Sequence, residues 1–372
     1  MIYLDCAATT FQKPPAVAKA MGEAMKTLSS PGRGGYPAAM AAAETAFQCR
    51  SELAELFGVS SPERVVFTFN ATHALNIAIK SLVPQGGRVV VSGYEHNAVT
   101  RPLAALGAEI AVAETPLFQS DAAAFERLVT PEVNAVICNH VSNVFGFIQP
   151  VEEIAALCRN RGVPFIIDAS QSAGVLPLEL DRLGAAFIAM PGHKGLYGPQ
   201  GTGVLLCGER IDPVPLLEGG TGSASVQQEM PDFLPDRLEA GTHNMPGIAG
   251  LLEGVRFVRR RGMADILHHE RRLTLFAAEG LRTIPGVEVY AMPGLREQAG
   301  VLSFRVKGKD VEEIGSGLAE RGIAVRTGLH CAPYAHRSAG TLETGTVRVS
   351  VSDFNTKEEL CRFLSAVESL CR

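Results

Sequence analysis

Short apolar segments alternate with helical stretches between residues 62 and 207, and this alternation restricts the possible folds more than any other feature of the chain. The helical periodicity is clearest at residues 151–161, where Glu152 and Glu153 occupy the first turn. Short apolar strands separated by helices predict an α/β fold whose sheet is mostly parallel and covered on both faces. The predicted strands lie at residues 65–69, 88–92, 109–113, 134–139, 163–168, 186–190 and 203–207.

Beyond about residue 247 the pattern changes. Two long amphipathic stretches come first, and shorter strands and helices follow them, which predicts a second, smaller α+β domain. We place the large domain at residues 14–250 and the small domain at residues 251–372 together with residues 1–13. The predicted elements after the change are helices at 248–260, 264–283, 311–321 and from 356, and strands at 287–290, 300–306, 323–326 and 346–351.

The composition of the 372-residue chain excludes several classes of protein. With 46% hydrophobic and 20% charged residues, it is that of a globular protein, not of a disordered or collagen-like one. A net charge of −5 without a long basic run argues against nucleic acid or a membrane surface as a partner. The longest stretch without charged side chains, residues 133–151, contains Asn139 and Gln149, so we predict no membrane span. The eight cysteines form no C-x-x-C pair, which favours reduced thiols and a cytoplasmic location.

Polar side chains follow five of the predicted strands at the point where each strand ends. In open α/β sheets, ligands bind at the carboxyl ends of the strands, so these side chains are expected to surround one site. They are Thr72 and His73, Glu95 and His96, His140 and Asn143, Asp168 and Gln171, and His193 and Lys194.

Asp168 and Lys194 close two successive apolar strands. Taken alone, Asp168 is equally well explained as a helix N-cap or a structural ion pair, and a single Lys after a strand is usually solvated. Together they suggest more, because a lysine in a confined site forms Schiff bases. Pyridoxal phosphate (PLP) needs such a lysine and also a carboxylate that keeps its ring nitrogen protonated.

The segment from Asn70 to His73 follows a strand and opens a helix. It therefore fits a phosphate site made of backbone N–H groups and a hydroxyl, although a simple Thr or Asn cap explains it equally well. The glycine-rich residues 219–225 lack the G-K-[ST] of a Walker motif, and we predict a flexible, lid-like segment there.

A loop with two histidines and one cysteine lies between residues 325 and 336. His330 and Cys331 are adjacent and no spacing completes four ligands, so a zinc site is a minor alternative. A buried, inert cysteine is a second alternative. We favour a nucleophile, because a loop with Gly and Pro is usually exposed and the thiolate is the reactive form of cysteine.

Assembled along nearly the whole chain, these motifs resemble the PLP-dependent cysteine desulfurases of the class V aminotransferase superfamily. The short Arg-Thr-Gly-x-His-Cys-Ala loop resembles the group II branch, which includes members similar to selenocysteine lyases. The resemblance implies the fold type I of PLP-dependent transferases, with a seven-stranded sheet. The motifs that carry it begin at Tyr3 (YLDCAA), Glu95 (EHN), His140 (HVSN), Asp168 (DASQ), Gly192 (GHK), Ala240 (AGTHN), Arg326 (RTGLHCA) and Arg348 (RVSVSDFNT).

The resemblance also implies roles at the cofactor. Lys194 would carry PLP as a Schiff base and later move the Cα proton of the substrate. Asp168 would pair with the pyridinium nitrogen, and Gln171 would contact the ring hydroxyl oxygen. His96 would stack on the ring and exchange a proton with the substrate sulfur.

Residues Thr72, His73 and His193 would surround the phosphate. Thr242 would reach the phosphate of the partner subunit, which implies a homodimer. The sequence departs from the family pattern at two positions, because Pro191 replaces a common Ser and His73 replaces a common acidic residue. These departures suggest a divergent branch.

For the substrate, the resemblance implies that Asn143 and Arg348 bind a carboxylate, with Arg326 a weaker candidate, and that Cys331 attacks sulfur. The leading hypothesis is a desulfurase that converts L-cysteine to L-alanine with a persulfide on Cys331, which an unidentified protein then accepts. The alternatives are a selenocysteine lyase, a class V aminotransferase or β-lyase that does not use Cys331, and a sulfur carrier without PLP. No metal is expected.

Overall fold

The structure of the protein is a computed structural model that describes residues 1–31 and 34–372. In chain order, the strands are β1 (Ile2–Tyr3), β2 (Val65–Thr68), β3 (Arg88–Ser92), β4 (Glu109–Ala113), β5 (Ala135–Asn139), β6 (Phe165–Asp168), β7 (Phe187–Pro191), β8 (Gly203–Cys207), β9 (Val287–Tyr290), β10 (Val301–Val306), β11 (Ile323–Ala324), β12 (Arg326–Gly328) and β13 (Thr346–Ser350). The helices are α1 (Pro15–Thr27), α2 (Pro37–Leu56), α3 (Ala71–Leu82), α4 (Asn97–Ala105), α5 (Ala123–Leu128), α6 (Val151–Arg161), α7 (Leu180–Leu183), α8 (Met245–Arg261), α9 (Met263–Arg282), α10 (Val311–Glu320), α11 (Pro333–Ser338) and α12 (Lys357–Cys371). None of the helices formed by these described residues combines the length and the apolar character that crossing a membrane requires.

A seven-stranded sheet forms the centre of the fold, in the order β2-β8-β7-β6-β5-β3-β4. Strands β3 to β7 pair in parallel, and β8 runs antiparallel to both β7 and β2. The predicted α/β fold with a mostly parallel sheet is therefore confirmed. Strand β8 is the exception because the chain returns from β7 through a loop without a helix, whereas a parallel neighbour needs a crossover connection.

The sheet is buried on both faces, as parallel sheets require. Neighbouring residues along a strand point to opposite faces, so Val90 and Ile167 join one hydrophobic cluster while Val89 and Ile166 join the other. These unbroken apolar runs explain why the strands were recognisable in the sequence.

A second, four-stranded sheet has the order β12-β13-β10-β9 and is antiparallel throughout. Its core contains Phe304, Val347 and Phe363. The N-terminal strand β1 pairs in parallel with β11, so the first residues of the chain lie against its last third. The domain boundary at residue 250 stays a prediction.

Most of the predicted elements begin and end within two residues of the observed bounds, and two elements differ more. The strand predicted at 323–326 is two short strands, because β11 pairs with β1 while β12 pairs with β13. The helix predicted from residue 248 begins at Met245, where the side chain of Asn244 accepts a hydrogen bond from the N–H of Gly247 and caps it. Residues 209–235, which include the predicted lid-like segment, contain neither α-helix nor strand.

Gly174 belongs to the turn that follows β6 and faces the turn of Lys194. Its φ is +83°, and a Cβ at this position would lie 2.2 Å from the carbonyl oxygen of Gly195. Only glycine therefore allows these two turns to approach each other. Gly162, which ends α6, has a similar φ of +66° but open space around it.

We predict that Gly174→Ala destabilises the protein more than Gly162→Ala does. Both changes place an L side chain in the left-handed region, which costs about 1–2 kcal/mol. Gly174→Ala adds a backbone clash worth roughly 1–3 kcal/mol. Urea unfolding followed by circular dichroism measures the difference, and equal losses for the two variants would contradict the close approach.

Candidate active site at the carboxyl ends of the strands

A cavity of about 220 Å³ lies where the strands of the large sheet end. It collects residues from the loops after β2, β3, β5, β6 and β7, together with residues from the small sheet. The sequence-predicted residues that line it are Thr72, His96, Asn143, Asp168, Gln171, His193, Lys194, Arg326 and Arg348. His73 and Thr242 line a neighbouring cavity, and Cys331 lies at an exposed position on an adjacent loop.

Lys194 and Asp168 bring an amine and a carboxylate to the same cavity. Burial lowers the pKa of Lys194 to about 8, the charge of Asp168 opposes this shift, and the nearby Arg348 adds to it. Asp168 ends β6, is 4% exposed, and accepts a hydrogen bond at Oδ1 from the N–H of Ser170 at 2.9 Å. This bond stabilises a turn, because residues 170–175 form no helix that Asp168 could cap, and the carboxylate also lines the cavity.

His96 caps helix α4 with its side chain. Its Nδ1 accepts a hydrogen bond from the N–H of Ala98 at 3.0 Å. Burial lowers the pKa of His96 to about 4, with Asp168 opposing the shift and Lys194 adding to it. The imidazole is therefore neutral near pH 7, and because Nδ1 is an acceptor, the proton is on Nε2.

The N-terminus of helix α3 borders the same cavity. Asn70 caps it by accepting a hydrogen bond from the N–H of His73 at 2.9 Å, and Thr72 lines the cavity in the first turn. Unpaired N–H groups and the helix dipole make such an end an anion site. Pro191, across the cavity, has no N–H and no hydroxyl to contribute.

Lys13 supports the turn of Lys194, a contact that the sequence analysis missed. Its Nζ donates to the carbonyl oxygen of His193 at 2.8 Å and to Oγ1 of Thr10 at 2.5 Å. Burial lowers the pKa of Lys13 to about 8. Nothing in the local sequence marks this lysine, because its partner His193 lies 180 positions away.

Arg348 is 1% exposed and extends from β13 into the cavity. Its Nη2 donates to Oδ1 of Asp5 at 2.5 Å, and its Nη1 donates to the carbonyl oxygen of Asn143 at 3.0 Å. A buried guanidinium needs a counter-charge, and Asp5 supplies it. Asp5 was visible in the sequence only as part of the N-terminal motif, with no role assigned.

The loop that contains Cys331 is attached to the rim of the cavity. The N–H of Asn97 donates to the carbonyl oxygen of Cys331, and Nδ2 of Asn143 donates to the carbonyl oxygen of His330, both at 2.8 Å. Nη2 of Arg326 lies 3.8 Å from the Cys331 sulfur. The thiol is exposed, as predicted for this loop.

The histidines of this loop bond to neighbouring hydroxyls. His330 contacts Oγ1 of Thr346 at 3.1 Å, and His336 contacts Oγ1 of Thr341 at 2.8 Å. Among the residues that the structure describes, no group of three or more His, Cys, Asp or Glu side chains is arranged to hold a metal ion.

His73 and Thr242 lie together beside the first cavity. The ring of His73 stacks on Phe69 with centroids 4.8 Å apart. The segment before Thr242 is held by Glu239, which accepts hydrogen bonds from the N–H of Phe67 at 2.6 Å and from both terminal nitrogens of Arg50. Thr242 itself is exposed and does not line the Lys194 cavity.

Several buried polar atoms of the cavity residues lack partners within the described chain. They are Oδ1 of Asn143, Nδ1 of His193, Nδ1 of His330 and Nε of Arg348. Unpartnered buried groups are unusual in a protein interior and are typical of a ligand site. An amine of lowered pKa, a carboxylate and a helix N-terminus around one cavity form the set of groups that fits PLP.

Comparisons with known proteins agree with this site. A family model described as "Aminotransferase class-V" matches residues 2–363. A probable cysteine desulfurase from Methanothermobacter thermautotrophicus is 34% identical, over 96% of this chain and 92% of that protein. A probable cysteine desulfurase from Mycolicibacterium paratuberculosis is also 34% identical, over the whole of this chain and 55% of that protein. The apo structure of a cysteine desulfurase from Thermococcus onnurineus has a TM-score of 0.91 and 32% identity, over 100% of this chain and 94% of that chain. The chain therefore belongs to the class-V aminotransferase family, and these similar proteins are named cysteine desulfurases.

Proposed function

We propose that the protein is a PLP-dependent cysteine desulfurase that converts L-cysteine to L-alanine and keeps the sulfur as a persulfide on Cys331. The family is generally PLP-dependent, and the relatives bear the name of this activity. One observation carries the proposal. An exposed thiol on a loop bonded to Asn97 and Asn143 lies beside the cavity that contains Lys194 and Asp168.

We assign the cofactor to the residues of this cavity. When bound, PLP supplies an electron sink that stabilises negative charge at the substrate's Cα. Lys194 would hold it covalently, Asp168 would pair with its ring nitrogen, and Gln171 would contact its hydroxyl oxygen. The phosphate is assigned to Thr72 and the N-terminus of α3, with His193 close by. Pro191 adds no donor, so this phosphate site depends more heavily on the helix.

Arg348 and Asn143 are assigned to the carboxylate of the substrate. The guanidinium is a planar fork that matches a carboxylate, and its Nε is free to donate. Asp5 keeps this side chain oriented from the opposite side. Nη2 of Arg326 lies 3.8 Å from the Cys331 sulfur, so Arg326 is the weaker candidate for the carboxylate.

The transfer of sulfur from the substrate to Cys331 needs no external oxidant. Lys194 would remove the Cα proton of the substrate. The Cys331 thiolate forms a bond to the substrate sulfur as the bond between that sulfur and Cβ breaks, and the electron pair passes to the carbon fragment. That fragment gains protons and leaves as alanine. His96 is neutral with its proton on Nε2, and we assign to it the exchange of a proton with the substrate's sulfur.

We also propose that the protein is a homodimer. Met40, Phe47 and Phe69 are among the large apolar side chains that are more than half exposed, at 60%, 53% and 56%. Phe69 lines the cavity of His73 and Thr242, so a partner subunit that covers this face would bring Thr242 towards the partner's phosphate site. The acceptor of the persulfide is proposed to be another protein.

We predict that Cys331→Ala abolishes sulfur transfer and that Cys361→Ala does not. Both thiols are exposed, but Cys361 lies on helix α12, away from the cavity. Each variant is incubated with PLP and L-cysteine, then examined by intact mass for an added sulfur atom and by amino-acid analysis for alanine. Full alanine production by Cys331→Ala would contradict the proposal and favour an aminotransferase or β-lyase. A comparison of the rates with L-cysteine and with L-selenocysteine distinguishes a cysteine desulfurase from the alternative, a selenocysteine lyase.

We predict that PLP attaches covalently to the protein with a rate that rises through a pH of about 8. The neutral amine is the nucleophile, and because burial lowers the pKa of Lys194 from 10.5 to about 8, its neutral fraction grows over this range. Absorbance after mixing with PLP measures the rate. Lys194→Arg should form no adduct, while Lys13→Arg should form one, although Lys13 has a similarly lowered pKa. An adduct in Lys194→Arg, or a rate that continues to rise towards pH 10.5, would refute the assignment.

We predict that the protein sediments as a dimer and that Phe69→Asp shifts it towards the monomer. A charge at an apolar interface loses its hydration without gaining a partner. Val226→Asp is the control, because Val226 is 95% exposed but does not line the cavity of Phe69, His73 and Thr242. A monomeric wild-type protein would disprove the dimer.

A further inference from the structure

The backbone of the Cys331 loop adopts a conformation that its residues disfavour. His330 and Cys331 are consecutive, neither is glycine, and their φ angles are +49° and +58°. L side chains rarely adopt such angles, and residues in this region persist only where the surrounding structure holds them. Asn143 and Asn97 hold the two carbonyl oxygens, as described above. The His330 ring is held separately.

A chain of hydrogen bonds connects this ring to the small sheet. His330 Nε2 lies 3.1 Å from Oγ1 of Thr346, and the Thr346 hydroxyl lies 3.2 Å from Oγ of Ser303. Oγ of Ser303 in turn lies 2.6 Å from the carbonyl oxygen of Val144. All three side chains are buried, with exposures of 3%, 0% and 0%. These hydrogen bonds therefore connect the loop to strands β13 and β10 and to the segment beside Asn143.

The last acceptor of this chain fixes the direction of every bond in it. A main-chain carbonyl can only accept, so the hydroxyl of Ser303 donates to Val144. The hydroxyl of Thr346 then donates to Ser303, and Nε2–H of His330 donates to Thr346. The ring is therefore the Nε2–H tautomer, and its Nδ1, which is buried without a partner, has no proton.

This histidine is unsuited to accept a proton. Burial, with the nearby charge of Arg348 and the ring of His336, lowers the pKa of His330 to about 2. A neutral ring of one fixed tautomer acts through its geometry, not through its charge. The ring therefore provides an anchor for the residue next to it.

We propose that His330 is a positioning residue that holds Cys331 in its left-handed conformation, with the thiol directed at the substrate's sulfur. This inference rests on the proposed desulfurase function and adds a residue to it. The hydrogen bonds through Thr346 and Ser303 make the position of the nucleophile depend on the position of the small sheet. Loss of the anchor leaves the thiol present but poorly placed.

The first test uses Thr346→Val, which removes the acceptor while keeping the shape of the side chain. Misplacement of a nucleophile lowers its rate up to about 100-fold, so we expect sulfur to appear on Cys331 roughly 10–100-fold more slowly in a single turnover. PLP absorbance and the KM for cysteine should stay unchanged. Thr274→Val is the matched control, because Thr274 is 3% exposed and its hydroxyl donates to the carbonyl oxygen of Glu270 in the same helix, α9.

The second test compares His330→Ala with His330→Gln. Glutamine presents an N–H donor at the distance of Nε2, so it should restore much of the rate that alanine loses. Transfer at the wild-type rate in Thr346→Val and His330→Ala, even with a lower unfolding midpoint, would overturn the positioning role. So would a failure of glutamine to exceed alanine. A wild-type protein that gains no sulfur on Cys331 would instead overturn the proposed function, and the inference with it.

Discussion

The site depends on placing two opposite charges in one buried cavity at the ends of adjacent parallel strands. Asp168 ends β6, and Lys194 follows β7, which pairs with β6. Each charge loses its hydration there, and each compensates part of that loss for the other. For Lys194 burial prevails over the attraction of Asp168, so its pKa falls to about 8. The desolvation that destabilises both charges therefore also makes the amine of Lys194 reactive near neutral pH.

The opposite side of the cavity comes from a different part of the chain. Arg348 and the Cys331 loop belong to the small sheet, and Asp5 comes from the segment after β1. The large sheet thus provides the groups suited to a cofactor, and the small sheet provides those suited to a substrate. Asn143 connects the two, because its carbonyl oxygen accepts from Arg348 while its side chain donates to the Cys331 loop. A shift between the sheets would affect both substrate binding and the position of the thiol.

The features that could be predicted from the sequence are those that a local pattern of residues determines. Apolar runs marked the strands, and the strand ends located Asp168, Lys194 and His96. Asp5 and Lys13 escaped notice because their partners lie 343 and 180 positions away, and no local rule encodes such contacts. His330 was noticed only as a possible metal ligand, because its hydrogen bonds to Thr346 and Ser303 depend on how β13 and β10 pair in the small sheet. His73 was expected at the phosphate, but its ring stacks on Phe69 beside a neighbouring cavity.

We propose above all that Lys194 and Asp168 bind the same cofactor ring and that Cys331 lies beside it. A crystal structure of the PLP-loaded protein measures this directly. We predict continuous density from the Lys194 nitrogen to the cofactor, the Asp168 carboxylate at the ring nitrogen, and the Cys331 loop still bonded to Asn97 and Asn143. Cofactor attached to another lysine, or Asp168 turned away from the ring, would contradict it.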